Sequence, residues 1–249
     1  MAENRAEKGL IAKLGDSQIA PPWGIGEMGL TLAVMLIGTL IIGTGVTATI
    51  SADALNPTPE SLLIGWLVGM IVVFIFVLVR WRRHKDRFDA LALKSSHWNP
   101  ILAVMVGIGG SFLASLIAGL GSGDFLVPVS IPAINESNIG ALIAAIIFAL
   151  LAQPLAESLV FQGVVLPRLR ATLKPYGGLF VAILLYAIYY YLVFGTRTTG
   201  SIAIWYEAIY PVVIALTLSA VRIWSKSTLS SMLAQIGVGA GVIIILFVL

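Results

Sequence analysis

Long apolar runs without charges alternate with short polar segments along most of this chain. About 20 helical residues cross the hydrocarbon core of a bilayer, so each run of about 18 or more predicts a spanning helix. This reading places spans at 28–50, 61–79, 100–120, 139–166, 177–194, 202–220 and 228–249. The predicted fold is all-α, a polytopic membrane protein of about seven transmembrane helices. The fourth run contains Pro154 and Glu157. A proline inside a span kinks the helix and frees a carbonyl that a neighbour must satisfy.

Basic residues set the expected orientation. Arg5, Lys8 and Lys13 precede the first run, and Arg80, Arg82, Arg83, Lys85, Arg87 and Lys94 follow the second. Arg168, Arg170 and Lys174 follow the fourth run; Arg222 and Lys226 follow the sixth. The alternate loops carry Asp53, Glu60, Asp124 and Glu136, with Arg197 as their one cation. Lysine and arginine concentrate in cytoplasmic loops, so the N-terminus is expected inside and the C-terminus outside. The chain then divides into a cytoplasmic N-terminal segment (1–27), three helices with a basic cytoplasmic loop (28–138) and a four-helix core (139–249). Leu10, Ile11, Leu14 and Ile19, beside Lys8 and Lys13, allow either a short helix on the inner leaflet or a frayed tail. Trp23, after Pro21 and Pro22, is expected to anchor at the interface. The spacings Gly65/Gly69 and Gly237/Gly241 point to close helix contacts, within the bundle rather than at a dimer face.

Composition narrows the class. The chain has 249 residues, 59% of them hydrophobic and 11% charged, with a mean hydropathy of +1.00. A soluble domain needs roughly a quarter charged residues. With no cysteine, disulfides, thiolate metal sites and thiol nucleophiles are excluded. The isoelectric point near 9.3 comes from membrane-flanking cations, so nucleic acid is not an expected partner. The first two dozen residues lack an apolar core between charges, so no cleavable signal peptide is expected. The expected location is the cell membrane, multi-pass, with a bacterial inner membrane as host. Arg80, Arg82, Arg83, Lys85 and Arg87 form a cluster suited to anionic lipid headgroups. His84 and His97, the two histidines of the chain, lie in that same loop and are read as solvated; Trp98 is read as an interfacial anchor. Gly24/Gly26 and Gly121/Gly123 are turn signals, since no strand precedes a helix there.

Ionisable groups inside a membrane default to functional candidates. Glu207 sits near the outer end of the sixth run and is expected to reach the headgroups. Glu157 lies eleven residues before Arg168, roughly 16 Å along a helix. The stretch from Pro154 to Arg170, with Glu157, Ser158, Leu159, Phe161, Gln162, Gly163 and Pro167, resembles the first motif of the CPBP family, the CAAX-prenyl-endopeptidase and bacteriocin-processing (Abi-type) intramembrane proteases. In that motif, EExxxR, Ser158 replaces the second glutamate and Gln162 the arginine. The next helix is similar to the FxxxH motif, either with Tyr190 and Phe194 or with Tyr186 and Tyr190 at the two positions; depth favours Tyr186/Tyr190. In the last helix, Gln235 and Gly239 stand where the family has histidine and asparagine. The resemblance covers about 139–249 and implies a CPBP-like core there.

In the family a glutamate and two histidines are implicated in activating water, either directly or with a metal. Glu157 remains as a remnant of the catalytic glutamate, and tyrosine, phenylalanine and glutamine cannot replace the imidazoles at neutral pH. No metal and no cofactor is expected. The leading expectation is a catalytically inactive scaffold, chaperone or complex subunit, with the bilayer and a membrane protein as partners, and with Tyr189, Tyr190 and Tyr191 filling space around Glu157. One alternative is an active endopeptidase with an atypical site borrowing His97. Another is a small transporter or proton pathway through Glu157.

Overall fold

The computed structural model describes residues 9–94, 96, 98–122, 139–195 and 201–248. These form a short helix α1 (Leu10–Leu14), α2 (Ile25–Ile50) and α3 (Pro59–Arg82), and a short α4 (Lys85–Ala90). The chain continues with α5 (Pro100–Ser122), α6 (Ile139–Thr172), α7 (Pro175–Phe194), α8 (Ser201–Ser225) and α9 (Thr228–Val248). Among the described residues, seven helices are long and apolar enough to cross a membrane, and there is no strand. This is an all-helical, multi-pass membrane protein in contact with the bilayer.

Local signals place the helix ends. Thr58 caps α3 by accepting from Ser61 N–H at 3.2 Å, with Pro59 in the first turn. A hydroxyl cap satisfies an end donor, and proline loses nothing there. At the start of α2, Glu27 accepts from the Gly24 backbone N–H at 3.2 Å. These contacts extend α2 and α3 a few residues beyond their apolar runs, which carry no information about caps.

α6 runs through the middle of the bundle, against α2, α3, α8 and α9, while α5 packs on α8 and α9. Small residues set the closest approaches. A Cβ on Gly69 would lie 3.0 Å from the Gly38 carbonyl carbon, and one on Gly237 2.9 Å from that of Val104. The glycine spacings thus seat α3 on α2 and α9 on α5, contacts inside one chain as expected. Gly121 lies in the last turn of α5, and Gly123 lies outside the described residues.

α6 is not a uniform α-helix. Phe148–Ala152 and Ser158–Val165 are wide, π-helical stretches on either side of Gln153–Glu157. Widened turns leave carbonyls off the regular ladder, and side chains from elsewhere reach two of them. Trp23 donates its indole N–H to the Val164 carbonyl at 3.2 Å, and Arg222 donates Nε–H to that of Gln162 at 3.2 Å. Trp23 is 3% exposed and stacks on Trp81 with ring centres 5.5 Å apart. It is therefore an interior tryptophan and not an interfacial anchor, because the open turn of α6 supplies the acceptor that its polar edge needs.

The basic segments meet at one end of the bundle. Arg170 donates to the carbonyls of Leu14 at 3.0 Å and Asp16 at 2.8 Å. Ser227 Oγ donates to the Lys94 carbonyl at 2.7 Å, and Thr228 Oγ1 to that of Leu91 at 2.6 Å. Glu27 pairs with Arg80 at 3.5 Å and with Arg87, and both guanidiniums lie 5.8 Å from the Trp81 ring. Arg80 and Arg87 therefore turn toward Glu27, which offers a local counter-charge. Arg82, Arg83, His84 and Lys85 are exposed. Trp98 is half-buried and stacks on Trp224 at 6.2 Å, so it too packs on protein. Arg5, Lys8, His97, Asp124, Glu136 and Arg197 lie outside the described residues.

Candidate functional site

The middle of α6 brings a carboxyl into the interior of the bundle. Glu157 ends the α-helical turn Gln153–Glu157, and its side chain is fully buried, at 0% exposure. A carboxyl without water must find hydrogen-bond partners in the protein. Three are in place. Tyr186 O–H donates to Oε2 at 2.6 Å, Gln235 Nε2–H to the same oxygen at 2.5 Å, and Gln153 Nε2–H to Oε1 at 2.9 Å. None of the three donors is a cation. The far side of Gln235 is also occupied, since its Oε1 accepts from Ser158 O–H at 2.6 Å. Ser158, Glu157 and Gln235 therefore form one continuous chain across α6 and α9.

Aromatic rings close the remaining space. Phe161 meets Tyr186 edge-on at 4.9 Å. Tyr186 stacks on Tyr190 at 6.3 Å, and Tyr190 packs against Phe194 at 4.9 Å and Tyr210 at 6.0 Å. Between these rings and Gln235 lies a cavity of about 20 Å³, lined also by Gln153 and Gly239. That is room for about one water molecule. Tyr189 belongs to the same cluster, 5.3 Å from Phe161. Tyr191 does not: it is exposed because consecutive helical residues point about 100° apart, so 189 and 190 share the inner face and 191 leaves it.

The motif positions from sequence gather here unequally. Ser158, Tyr186, Tyr190, Gln235 and Gly239 surround the Glu157 carboxyl or its cavity, with Tyr186 and Gln235 bonding the carboxyl directly. Phe194 lies one turn beyond Tyr190 and packs on Trp66 at 5.0 Å. Gln162 is buried, and its backbone carbonyl receives Arg222. A Cβ on Gly239 would lie 2.8 Å from the Ala149 carbonyl carbon and 3.3 Å from its Cβ, so the asparagine of the family pattern has no room at this position. Gln153 was not singled out in the sequence, although its place one turn before Glu157 is the spacing at which helical side chains meet. Glu207 is 6% exposed and enclosed by the bundle, not turned to the headgroups as expected; a position near a helix end does not reveal which side the carboxylate faces.

The donor set does not suit a divalent metal. Glu157 is the one carboxylate, both its oxygens are committed, and its neighbours are amides and phenols. Hard or borderline cations need several carboxylates or imidazoles. Among the described residues no group of three His, Cys, Asp or Glu side chains comes together. His84 is exposed and makes no contact with this buried cluster.

Residues 139–240 match the family model described as Rce1-like, type II CAAX prenyl endopeptidase. No curated protein and no solved structure matches the chain.

Proposed function

We propose that this chain, whose residues 139–240 match the Rce1-like, type II CAAX prenyl endopeptidase model, is a catalytically inactive CPBP-like protein, a scaffold, chaperone or subunit of a membrane complex. The observation that carries the reading is the environment of Glu157. Its partners are Tyr186, Gln153 and Gln235. Water activation needs a group that takes up a proton near neutral pH, or a metal held by suitable ligands. Glu157 is itself a base, but both its oxygens already accept from these three donors, and amides and phenols beside it supply neither a second base nor a metal ligand. Ser158 contributes a hydroxyl where the family has a carboxylate, and that hydroxyl is tied to Gln235. The adjoining cavity of about 20 Å³ has room for about one water molecule and not for a peptide group. In this reading the polar chain became a structural lock, joining α6, α7 and α9 where the family does chemistry.

The basic end of the bundle faces the cytoplasm in this proposal, following the lysine and arginine distribution, and the host is a cell membrane of bacterial type. A working endopeptidase would need an imidazole beside Glu157, and a proton pathway would need a series of ionisable groups leading to it. The aromatic packing around the cavity favours neither.

The test is recovery from membranes at native expression level. The account expects a membrane-protein partner in fixed stoichiometry, retained when Glu157 is replaced by Gln. Recovery of the chain alone, together with peptide cleavage that the same substitution abolishes, contradicts it.

A further inference from the structure

At the basic end a much larger cavity, about 1340 Å³, opens between the N-terminal segment, the end of α4, the end of α6 and the α8–α9 turn. Its charged lining consists of Lys13, Arg170, Arg222 and Lys226 against Asp16 and Asp89. Four cations thus face two carboxylates, and Asp89 is already engaged by Lys94 at 3.7 Å. Two of the cations are enclosed: Arg170 is 3% and Arg222 7% exposed. An enclosed guanidinium is costly unless an anion or a full set of acceptors meets it. Arg170 spends its two Nη groups on the carbonyls of Leu14 and Asp16. Arg222 spends only Nε, on Gln162; among the described residues its Nη groups carry no hydrogen bond and no carboxylate pairs with it.

We propose that this cavity binds a phosphate group, held chiefly by the free face of Arg222 with Lys13 and Lys226 at the rim. A planar guanidinium with two open Nη groups matches two phosphate oxygens. The cavity lies where two helices long and apolar enough to span a membrane end, at Thr172 and Ser225, and lipid phosphates flank the hydrocarbon core at the ends of such helices. Basic pockets between helices at that level suit anionic headgroups. The walls are held in shape by bonds that involve no ligand: Ala92 O accepts from Thr228 N–H at 2.9 Å, and Lys226, at φ 55, sits in the tight α8–α9 turn. The site is separate from Glu157, and its occupancy does not depend on whether the chain is a protease.

The experiment titrates the full chain, purified in neutral detergent, with dihexanoyl phosphatidic acid, dihexanoyl phosphatidylcholine and inorganic phosphate, following tryptophan fluorescence. Trp224 in the cavity wall is the reporter. Saturable binding of the phosphatidic acid, with the choline lipid and free phosphate much weaker, supports a lipid headgroup. Equal binding of inorganic phosphate supports the same site with a soluble source. The double variant Lys13→Gln/Lys226→Gln changes side chains at the cavity rim and should weaken binding about thirtyfold; Arg222→Lys, which keeps the charge but loses the fork, should also weaken it. Equal binding of the choline lipid, binding unchanged in the double variant, or no saturable binding of any probe overturns the proposal.

Discussion

Gln235 reaches Glu157 with its amide nitrogen at 2.5 Å and receives Ser158 on its amide oxygen at 2.6 Å. One side chain on α9 thus answers opposite polarities on adjacent residues of α6. Histidine, the family's residue at this position, also has a donor and an acceptor nitrogen, but it holds them in a rigid ring and can take up a proton. Glutamine takes up no proton, so the α9 side of the junction stays neutral.

Replacing Gln235 with Leu leaves the Ser158 hydroxyl without its acceptor and the Glu157 carboxyl without one of its donors in an apolar interior. The expected loss is ~2–6 kcal/mol, from two buried polar groups at ~1–3 kcal/mol each. Thermal unfolding in detergent should show a clear drop in Tm. An unchanged Tm would mean that the chain of hydrogen bonds does not hold the helices together.

Glu157→Gln should be mild by comparison. The oxygen of the new amide can keep the bonds from Tyr186 and Gln235, while Gln153, which is half-buried, can turn its own amide to accept. The predicted change is within ~1 kcal/mol, read from the same unfolding curves. A collapse of stability would show that the carboxyl's charge or its exact acceptor pattern is essential to the fold.

Restoring the family's second acid should be damaging. Ser158→Glu places a second carboxyl beside Glu157, in a fully buried site with no cation among its contacts. Buried unpaired charge costs several kcal/mol, so expression and Tm should both fall by far more than for Ser158→Ala. Tolerance of the glutamate would indicate space and hydration that the packing around Phe161 and Tyr186 does not provide.

Trp23→Phe tests the wide turn of α6. The ring can still stack on Trp81, but the Val164 carbonyl loses its donor, a loss of ~1–2 kcal/mol. No change in Tm would place the anchoring of this turn elsewhere.

How far these features could be read from sequence varies by residue. Spans are legible because hydrocarbon thickness sets the length of each apolar run, and Pro154 announced an irregular α6. The pairing of Glu157 with the α7 and α9 positions was legible through motif order. Trp23, Arg170 and Arg222 were not: each stands next to a polar segment, where interfacial anchors and topology-setting cations also stand, and only the approach of distant chain segments encloses them. Arg80 and Arg87 were ambiguous for the same reason, since Glu27 lies more than fifty positions away.

The central claim is that Glu157 performs no hydrolysis, and it is measured most directly by cleavage of a farnesylated C-terminal peptide in membranes carrying the chain. The account predicts rates equal to those of control membranes, for the native chain and for Glu157→Gln alike. Cleavage above control that disappears in Glu157→Gln would contradict it.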